Sequence, residues 1–430
     1  MRYDYDDRFA VSASYRYDGT SLFKYNKWGH FWSLGASWRI SNEKFMKSAD
    51  WVDDLRVRAT YGWSGNQINS AYPYTNLWGI GSLNGVPSIS QSTVGNPQLT
   101  WENNKQFDAG IDFRLWDRVY GSLDYYNRRT HNLIWNRPTP SSTGLTSHLE
   151  NIGILGNVGF EFDITVDLVK TRNVYWNINL NGSVARNKLI DYPSELGNPA
   201  LGGDYITGIY LRGKGKSYYN LYLFDYAGID PANGDELFWK KVTDENGKVI
   251  GREKTNLFAE ADQFEMGDAL PDMTGGLRTS FRWKNLDFSF TASYQIGGRM
   301  WDGQSANMYD PYRPGFTVSD DLVRNTWTPD NPGAKFPKLM YSWNFRGSNV
   351  NALYRDASYF NIRNINIGYT LPKKWTQKVS LESVRVFFSA DNLCLITAHD
   401  GFDPRRDIVS VSGFNFPTAR SFSFGVTVKL

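Results

Sequence analysis

The sequence predicts an all-β fold, an antiparallel transmembrane β-barrel sheet, and three observations predict it. Apolar residues recur at every second position in segment after segment, the mark of strands with one apolar and one polar face. The connections between those segments alternate between short and long, as in a barrel with tight turns on one rim and extended loops on the other. The 430 residues include 16 Trp, 26 Tyr, 26 Phe and 39 Gly in a chain only 41% hydrophobic, which suits many strands and turns.

The strands follow in order. Residues 9–17 place Phe9, Val11, Ala13, Tyr15 and Tyr17 on one side, and 34–40 place Leu34, Ala36, Trp38 and Ile40. Leu55, Val57, Ala59, Tyr61 and Trp63 form the third row, and Phe107, Ala109, Ile111, Phe113 and Leu115 the fourth. Val119, Leu123 and Tyr125 come next, then Phe160 to Leu168 and Trp176 to Val184 at alternate positions. Thr279, Phe281 and Trp283 precede Leu286, Phe288, Phe290, Ala292, Tyr294 and Ile296. Ile365, Ile367, Tyr369 and Leu371, then Val384, Val386 and Phe388, lead to the last strand, SFSFGVTVKL at 421–430, for a total of twelve. That strand separates Phe422, Phe424, Val426, Val428 and Leu430 from Ser421, Ser423, Gly425, Thr427 and Lys429.

Short turns fall at 116–118, 170–173, 283–285 and 371–378, with a somewhat longer link at 41–54. The long connections are 18–33, 64–104, 136–157, 189–273, 297–357 and 391–416; of these, 64–104, 189–273 and 297–357 are the expected extracellular loops of a single region spanning 1–430. The polar rows, such as Gln106, Asp108, Gly110, Asp112 and Asn177, Asn179, Asn181, Ser183, fit a barrel lumen or the wet face of a soluble sandwich equally well. Strand lengths of about 9–11 residues, and Trp116, Trp176, Trp283 and Trp375 at strand ends, favour a membrane crossing with an aromatic girdle.

Other function classes are poorly served by this sequence. Its 47 basic and 44 acidic side chains give a formal charge of +3, so no polyanion-binding surface and no nucleic-acid partner is expected. The single cysteine, Cys394, lies between Leu393 and Leu395 and is read as a packing residue. No apolar run is long enough for a membrane-spanning helix, and the acidic N-terminus MRYDYDDRFAVSASYRYDG has no signal-peptide core. His30, His131, His148 and His399 lack metal-ligand spacing. Ser21 with Lys24 and Ser41 with Lys44 match SxxK without its catalytic partners, Arg212 to Lys216 lacks the P-loop pattern, and Asp230 to Asp235 reads as an Asn-Gly turn. No enzyme, metal or cofactor is predicted.

The long loops are unusually aromatic. Pro311, Pro314, Pro329, Pro332 and Pro337 punctuate the third extracellular loop among these rings, and loops of this length are normally binding surfaces or lids. The candidate contacts for substrate or a lid partner are Tyr72, Tyr74, Trp78, Tyr205, Tyr210, Trp301, Tyr309, Tyr312, Trp327 and Trp343, with Tyr218 and Tyr219 beside them. Packing of the loops against one another is the competing role for any one of these rings.

Several blocks, in order and spacing, resemble the C-terminal barrel region of SusC/RagA-type TonB-dependent transporters of the Bacteroidetes outer membrane. They are DRFAVSASYRYDGTSLF at 7–23, KWGHFWSLGASWRIS at 27–41, LRVRATYGWSGNQ at 55–67, NPQLTWENNKQFDAGIDF at 96–113, LDYYNRRTHNLI at 123–134 and NVGFEFDI at 157–164. YAGIDPANGDELF at 226–238, PDMTGGLRTSF at 271–281, YFNIRNINIGYTLP at 359–372 and GFDPRR at 401–406 complete the set. Each block is short and degenerate; their succession over the whole chain is specific.

The resemblance implies an outer-membrane importer of a Gram-negative bacterium that takes up oligosaccharides or peptides, delivered by a SusD-like surface lipoprotein and driven by TonB. It also implies a barrel of about 22 strands with an N-terminal plug. About twelve strands are present, so the expectation is a C-terminal fragment, with Met1 an internal methionine, without a plug or the segment that TonB grips, and not competent alone. An open sheet leaves unpaired edges in lipid, so the expected form is an open half-barrel. The alternatives are a self-contained twelve-stranded outer-membrane barrel, acting as a pore or enzyme, and a secreted carbohydrate-binding β protein.

Overall fold

A computed structural model describes every residue except 141, 143, 146, 246, 313–316, 399–400 and 406–417. Pro314, His399 and residues 406–416 of the last long connection therefore lie outside the described residues. The chain divides into two compact units: Met1–Tyr205 with Gly213–Tyr218 and Leu277–Lys284, and Ile206–Arg212 with Tyr219–Gly276 and Asn285–Leu430.

In the first unit, eight strands run antiparallel, each hydrogen-bonded to the next: β1 (Arg2–Tyr5), β2 (Phe9–Gly19), β3 (Trp28–Arg39), β4 (Val52–Asn66), β5 (Glu102–Leu115), β6 (Val119–His131), β7 (Ile154–Lys170) and β8 (Val174–Asp191). The register keeps like with like: Val57 lies opposite Ile111, Ile111 opposite Leu123 and Leu123 opposite Phe162. A slip of one residue would move every apolar side chain to the other face, so the alternating pattern itself holds the register. β9 (Met273–Trp283) contributes its residues from Leu277 onward to this unit, where the Thr279 hydroxyl donates to the Asn177 carbonyl at 2.8 Å and accepts from Trp176 Nε1 at 2.9 Å.

In the second unit, β10 (Leu286–Ile296), β11 (Tyr359–Thr370), β12 (Ser383–Thr397) and β13 (Ser421–Lys429) pair in that order. Val384, Val386 and Phe388 face Val428, Val426 and Phe424 across the last rungs. The fold is all-β, its longest helix being Gly303–Met308 among the described residues.

Every alternating segment coincides with a strand, apart from the last residues Ile40, Leu371 and Leu430, which lie just beyond their strands, and three differences from the sequence reading have physical causes. β1 is an additional strand, too short for alternation to mark it; Asp6 and Asp7 at φ of 52° and 50° turn it back onto β2, a left-handed conformation that Asp tolerates. The connection read as 18–33 is shorter, because β3 begins at Trp28; Phe31 breaks the alternation there because it packs with Phe23, Leu99 and Trp101. β7 and β8 run 17 and 18 residues, beyond the apolar rows, and their extensions are held by polar pairs such as Asn187 Nδ2 to Asn157 Oδ1 at 2.7 Å.

The long connections build their own small sheets. Leu77–Leu83 pairs with Val86–Thr93, and Ile134–Pro138 with Ser147–Asn151. Tyr226–Ile229, Glu236–Thr243 and Val249–Thr255 form a meander, Asn220–Phe224 pairs with Gln263–Asp268, and Arg299–Trp301 pairs with Tyr354–Asp356.

Candidate functional site

The strands place chemistry on two faces of opposite character. The face carrying Phe9, Leu34, Tyr61, Phe107 and Phe160 in the first unit, and Ile367, Phe388, Phe422 and Phe424 in the second, is exposed. Rings on it pack against their neighbours along the sheet, stacked as Phe9 is on Trp38 at 6.0 Å and Phe388 on Phe422 at 6.2 Å, or edge-on as Tyr61 is to Trp32 at 5.8 Å. Soluble proteins rarely expose apolar patches beyond a few hundred Å², so such a face calls for lipid.

The other face is a polar network. In the first unit Arg58 reaches Asp112 at 3.3 Å and Asp124 at 2.6 Å, across three neighbouring strands. Asn179 Nδ2 donates to Asp163 at 2.6 Å and to Thr165 Oγ1 at 2.9 Å. In the second unit Arg385 donates to Asp287 Oδ1 and to Asn366 Oδ1, both at 3.0 Å. Each guanidinium lies across a glycine. A Cβ on Gly110 would meet Asp124 Oδ1 at 2.3 Å and Arg58 Cζ at 2.8 Å, and one on Gly368 would meet Arg385 Nη2 at 2.2 Å. Sequence reasoning marked the polar rows but singled out neither arginine, because ion pairing across strands depends on register. The signal available was an Arg at a polar position of an alternating strand, Arg58 between Val57 and Ala59 and Arg385 between Val384 and Val386. Replacing Gly110 by leucine is expected to expel the Arg58 guanidinium and lower the thermal midpoint of the protein by several degrees, while Gly85→Leu, with nothing within 4 Å, isolates strain from crowding. Heat-dependent mobility on semi-native gels measures it.

The loop aromatics divide into packed and exposed rings. Tyr309 and Trp343 are buried in one cluster with Phe336 and Phe345, and Trp301 packs against it. Trp343 Nε1 donates to the Lys338 carbonyl at 3.0 Å. Tyr205 is buried in a separate cluster with Trp135 and Leu189, its ring 5.2 Å from Tyr192. Tyr210 stands edge-on to Tyr219 at 5.8 Å, beside Leu221 and Leu223. Trp327 covers Gly234 and donates its indole N–H to the Pro231 carbonyl at 3.1 Å. These rings hold the loops together, which is the structural reason so many aromatics lie between strands.

Three candidates remain open to solvent. Tyr72 is exposed and edge-on to Tyr74 at 6.3 Å. Trp78, 62% exposed, shares the strand Leu77–Leu83 with Ile80 at 87%, which lies opposite the exposed Ile89. Tyr312 is 5.7 Å from the exposed Tyr341.

One further residue escaped sequence reasoning. Glu236, buried, accepts from the backbone N–H of Asn344 at 3.0 Å and of Phe345 at 2.8 Å, and from Asn344 Nδ2 at 3.3 Å. It pins the meander to the aromatic cluster. Burial pushes its carboxyl above the ordinary glutamate range, and the amide donors pull against that. Next to it, a hydrogen bond from Lys338 holds Asp235 below the usual carboxylate range.

Comparison with known proteins gives a consistent picture. The family described as "TonB dependent receptor-like, beta-barrel" matches residues 1–393. The chain is 28% identical to TonB-dependent receptor P3 of Formosa agariphila, over 100% of this chain and 45% of that protein. It is 26% identical to TonB-dependent receptor SusC of Bacteroides thetaiotaomicron, over 100% of this chain and 43% of that protein. Among solved structures, the RagAB peptide transporter superposes with a TM-score of 0.85 at 24% identity, covering 99% of this chain and 46% of that one. The chain thus spans less than half the length of the curated relatives it matches.

Proposed function

Because this chain belongs to the TonB dependent receptor-like β-barrel family, we propose that its strands form about half the wall of an outer-membrane importer, an open half-barrel supplying about twelve of about 22 strands. The exposed apolar face set back to back with a polar face carries this reading, since one solvent cannot suit both. Both edges of β2 are occupied, by β1 and β3, which supports an open sheet over a small barrel closed by pairing β2 with β13. An open sheet in lipid leaves backbone groups unmet at several kcal/mol each, so further strands complete it.

The cargo in this reading is an oligosaccharide or a peptide, brought by a SusD-like lipoprotein. Energy comes from TonB acting through a region outside these residues. The polar face lines the lumen, and Tyr72, Trp78 and Tyr312 contact cargo or the lipoprotein. The role is transport and not catalysis.

The reading is tested in the native bacterium. An affinity tag in the exposed Asn84–Gly85 turn should place the chain in the detergent-resistant outer-membrane fraction, recover a surface lipoprotein with it, and reveal loss of uptake of one nutrient when the gene is disrupted. Recovery from the soluble fraction, or a disruption without effect on uptake, would refute it.

A further inference from the structure

The apolar face of the first unit changes character toward the long connections. There one rung runs across β4 to β8 through Trp63, Lys105, Arg129, Gly156 and Lys188, each hydrogen-bond register partner of the next. It continues the face that carries the exposed Phe107, Tyr125, Phe160 and Leu180. Asn104, Thr130, Asn187 and Leu189, chain neighbours of the three cations, are buried on the opposite side, which fixes Lys105, Arg129 and Lys188 outward. The rung beneath adds Arg186, in line with Phe107, Asn127 and Val158, and neither rung holds a carboxylate.

Such a row is costly without an anion. Lys105 and Arg129 are direct partners, with Cβ atoms about 5 Å apart, where like charges repel. On the polar face the same sheet matches its cation, Arg58, with Asp112 and Asp124. Lys105, Arg129 and Lys188 have no carboxylate partner among the described residues, and Lys105 instead places its ammonium over the Trp63 ring at 4.6 Å. Depth selects the missing partner. The rung stands two residues beyond Phe107 and Val158, about 7 Å along the strands. Lysine and arginine there lay their stems on apolar surface and lift their charges to the headgroup level, where Trp63 and Tyr61 suit the aromatic belt.

We propose that Lys105, Arg129 and Lys188 form a docking surface for lipopolysaccharide on the outside of the wall, with the phosphates of its headgroup bridging the three cations. The proposal rests on the outer-membrane placement above and adds a lipid partner to it. The rim with the long connections is the outer one, and the outer leaflet there is built of phosphorylated glycolipid. From Lys105 to Lys188 the cations span three strand intervals, about 14 Å. That width suits a headgroup with several anionic groups better than the single phosphate of a phospholipid. Charge-assisted bonds to phosphate also remove the repulsion between Lys105 and Arg129 that the fold leaves in place.

The test uses the receptor isolated in detergent from the native outer membrane, with whatever copurifies, and measures lipopolysaccharide retained per receptor by its hydroxy fatty acids. Lys105→Gln, Arg129→Gln and Lys188→Gln should each lower retention about fivefold, the ratio for one cation lost beside anionic lipid, and the triple variant should retain almost none. Arg172→Gln, in the exposed turn between β7 and β8 at the opposite rim, should leave retention unchanged. Delipidated unaltered receptor is then offered three probes: lipopolysaccharide of the same bacterium, its dephosphorylated form and phosphatidylglycerol. The first should bind, and the other two about tenfold or more weakly. Equal binding of the dephosphorylated form overturns the surface without reference to any variant, and equal binding of phosphatidylglycerol overturns the choice of glycolipid. Unchanged retention by the triple variant at equal outer-membrane abundance also overturns it, including the case in which an acidic protein is lost instead. If uptake persists while these results fail, import stands and only this inference falls; a chain absent from the outer membrane removes both.

Discussion

Replacing Phe424 by lysine is expected to remove most of the protein from the outer membrane, whereas the same change at Ser423, one residue away, is expected to leave it there. Phe424 sits mid-strand on β13, 76% exposed on the apolar face, and Ser423 faces the polar side opposite Ser389. A lysine facing lipid near the midplane costs about 2–4 kcal/mol, while one facing a wet lumen costs little. Resistance to trypsin and heat-dependent gel mobility of the two variants measure the difference. Equal behaviour of the pair would mean that this face does not meet lipid.

Replacing Glu236 by alanine is expected to loosen the loop module built on the aromatic cluster. Two backbone N–H groups and one side-chain amide lose their acceptor, and each buried unmet donor costs about 1–3 kcal/mol. Hydrogen exchange at residues 226–238 and 343–350 should rise sharply, with β10 to β13 unchanged. Glu236→Gln keeps one acceptor and should fall between. The pH dependence has a defined sign. Burial raises the folded carboxyl above its ordinary value, so the stability contributed by the protonated form is fully present below about pH 4.3, the unfolded glutamate value, and is lost as pH rises through the folded one. Mild acidification from neutrality should therefore protect this module, and Glu236→Gln should abolish that protection. Asp235 works the other way. Its lowered value means that the contribution from Lys338 is present at neutral pH and fades only as pH falls below the ordinary aspartate range.

The family resemblance read from the blocks between 7 and 406 agrees with the family match over 1–393. The strands were legible because alternation is a local property: Phe422 to Leu430 announce their face whatever the rest of the chain does. Strand ends were less legible. Outside the lipid layer nothing requires alternation, so β7 and β8 extend through polar residues such as Asn157 and Asn187 that resemble loop. In the loops, composition showed that the rings were many but not which were spent on packing. Tyr309 and Trp343 look no different in sequence from Trp78, yet the first two are buried and the third stands in solvent.

By itself, then, the sequence determined the fold class, the two faces of each strand and the family, because each rests on patterns a few residues long. Only the tertiary structure decided which charges meet. Arg58 finds Asp112 from 54 positions away, and Glu236 finds Phe345 from 109. It also decided that Lys105, Arg129 and Lys188, far apart in sequence, share one rung of the outward face. Such contacts depend on register and on loops folding back over long separations, and no local spacing encodes them.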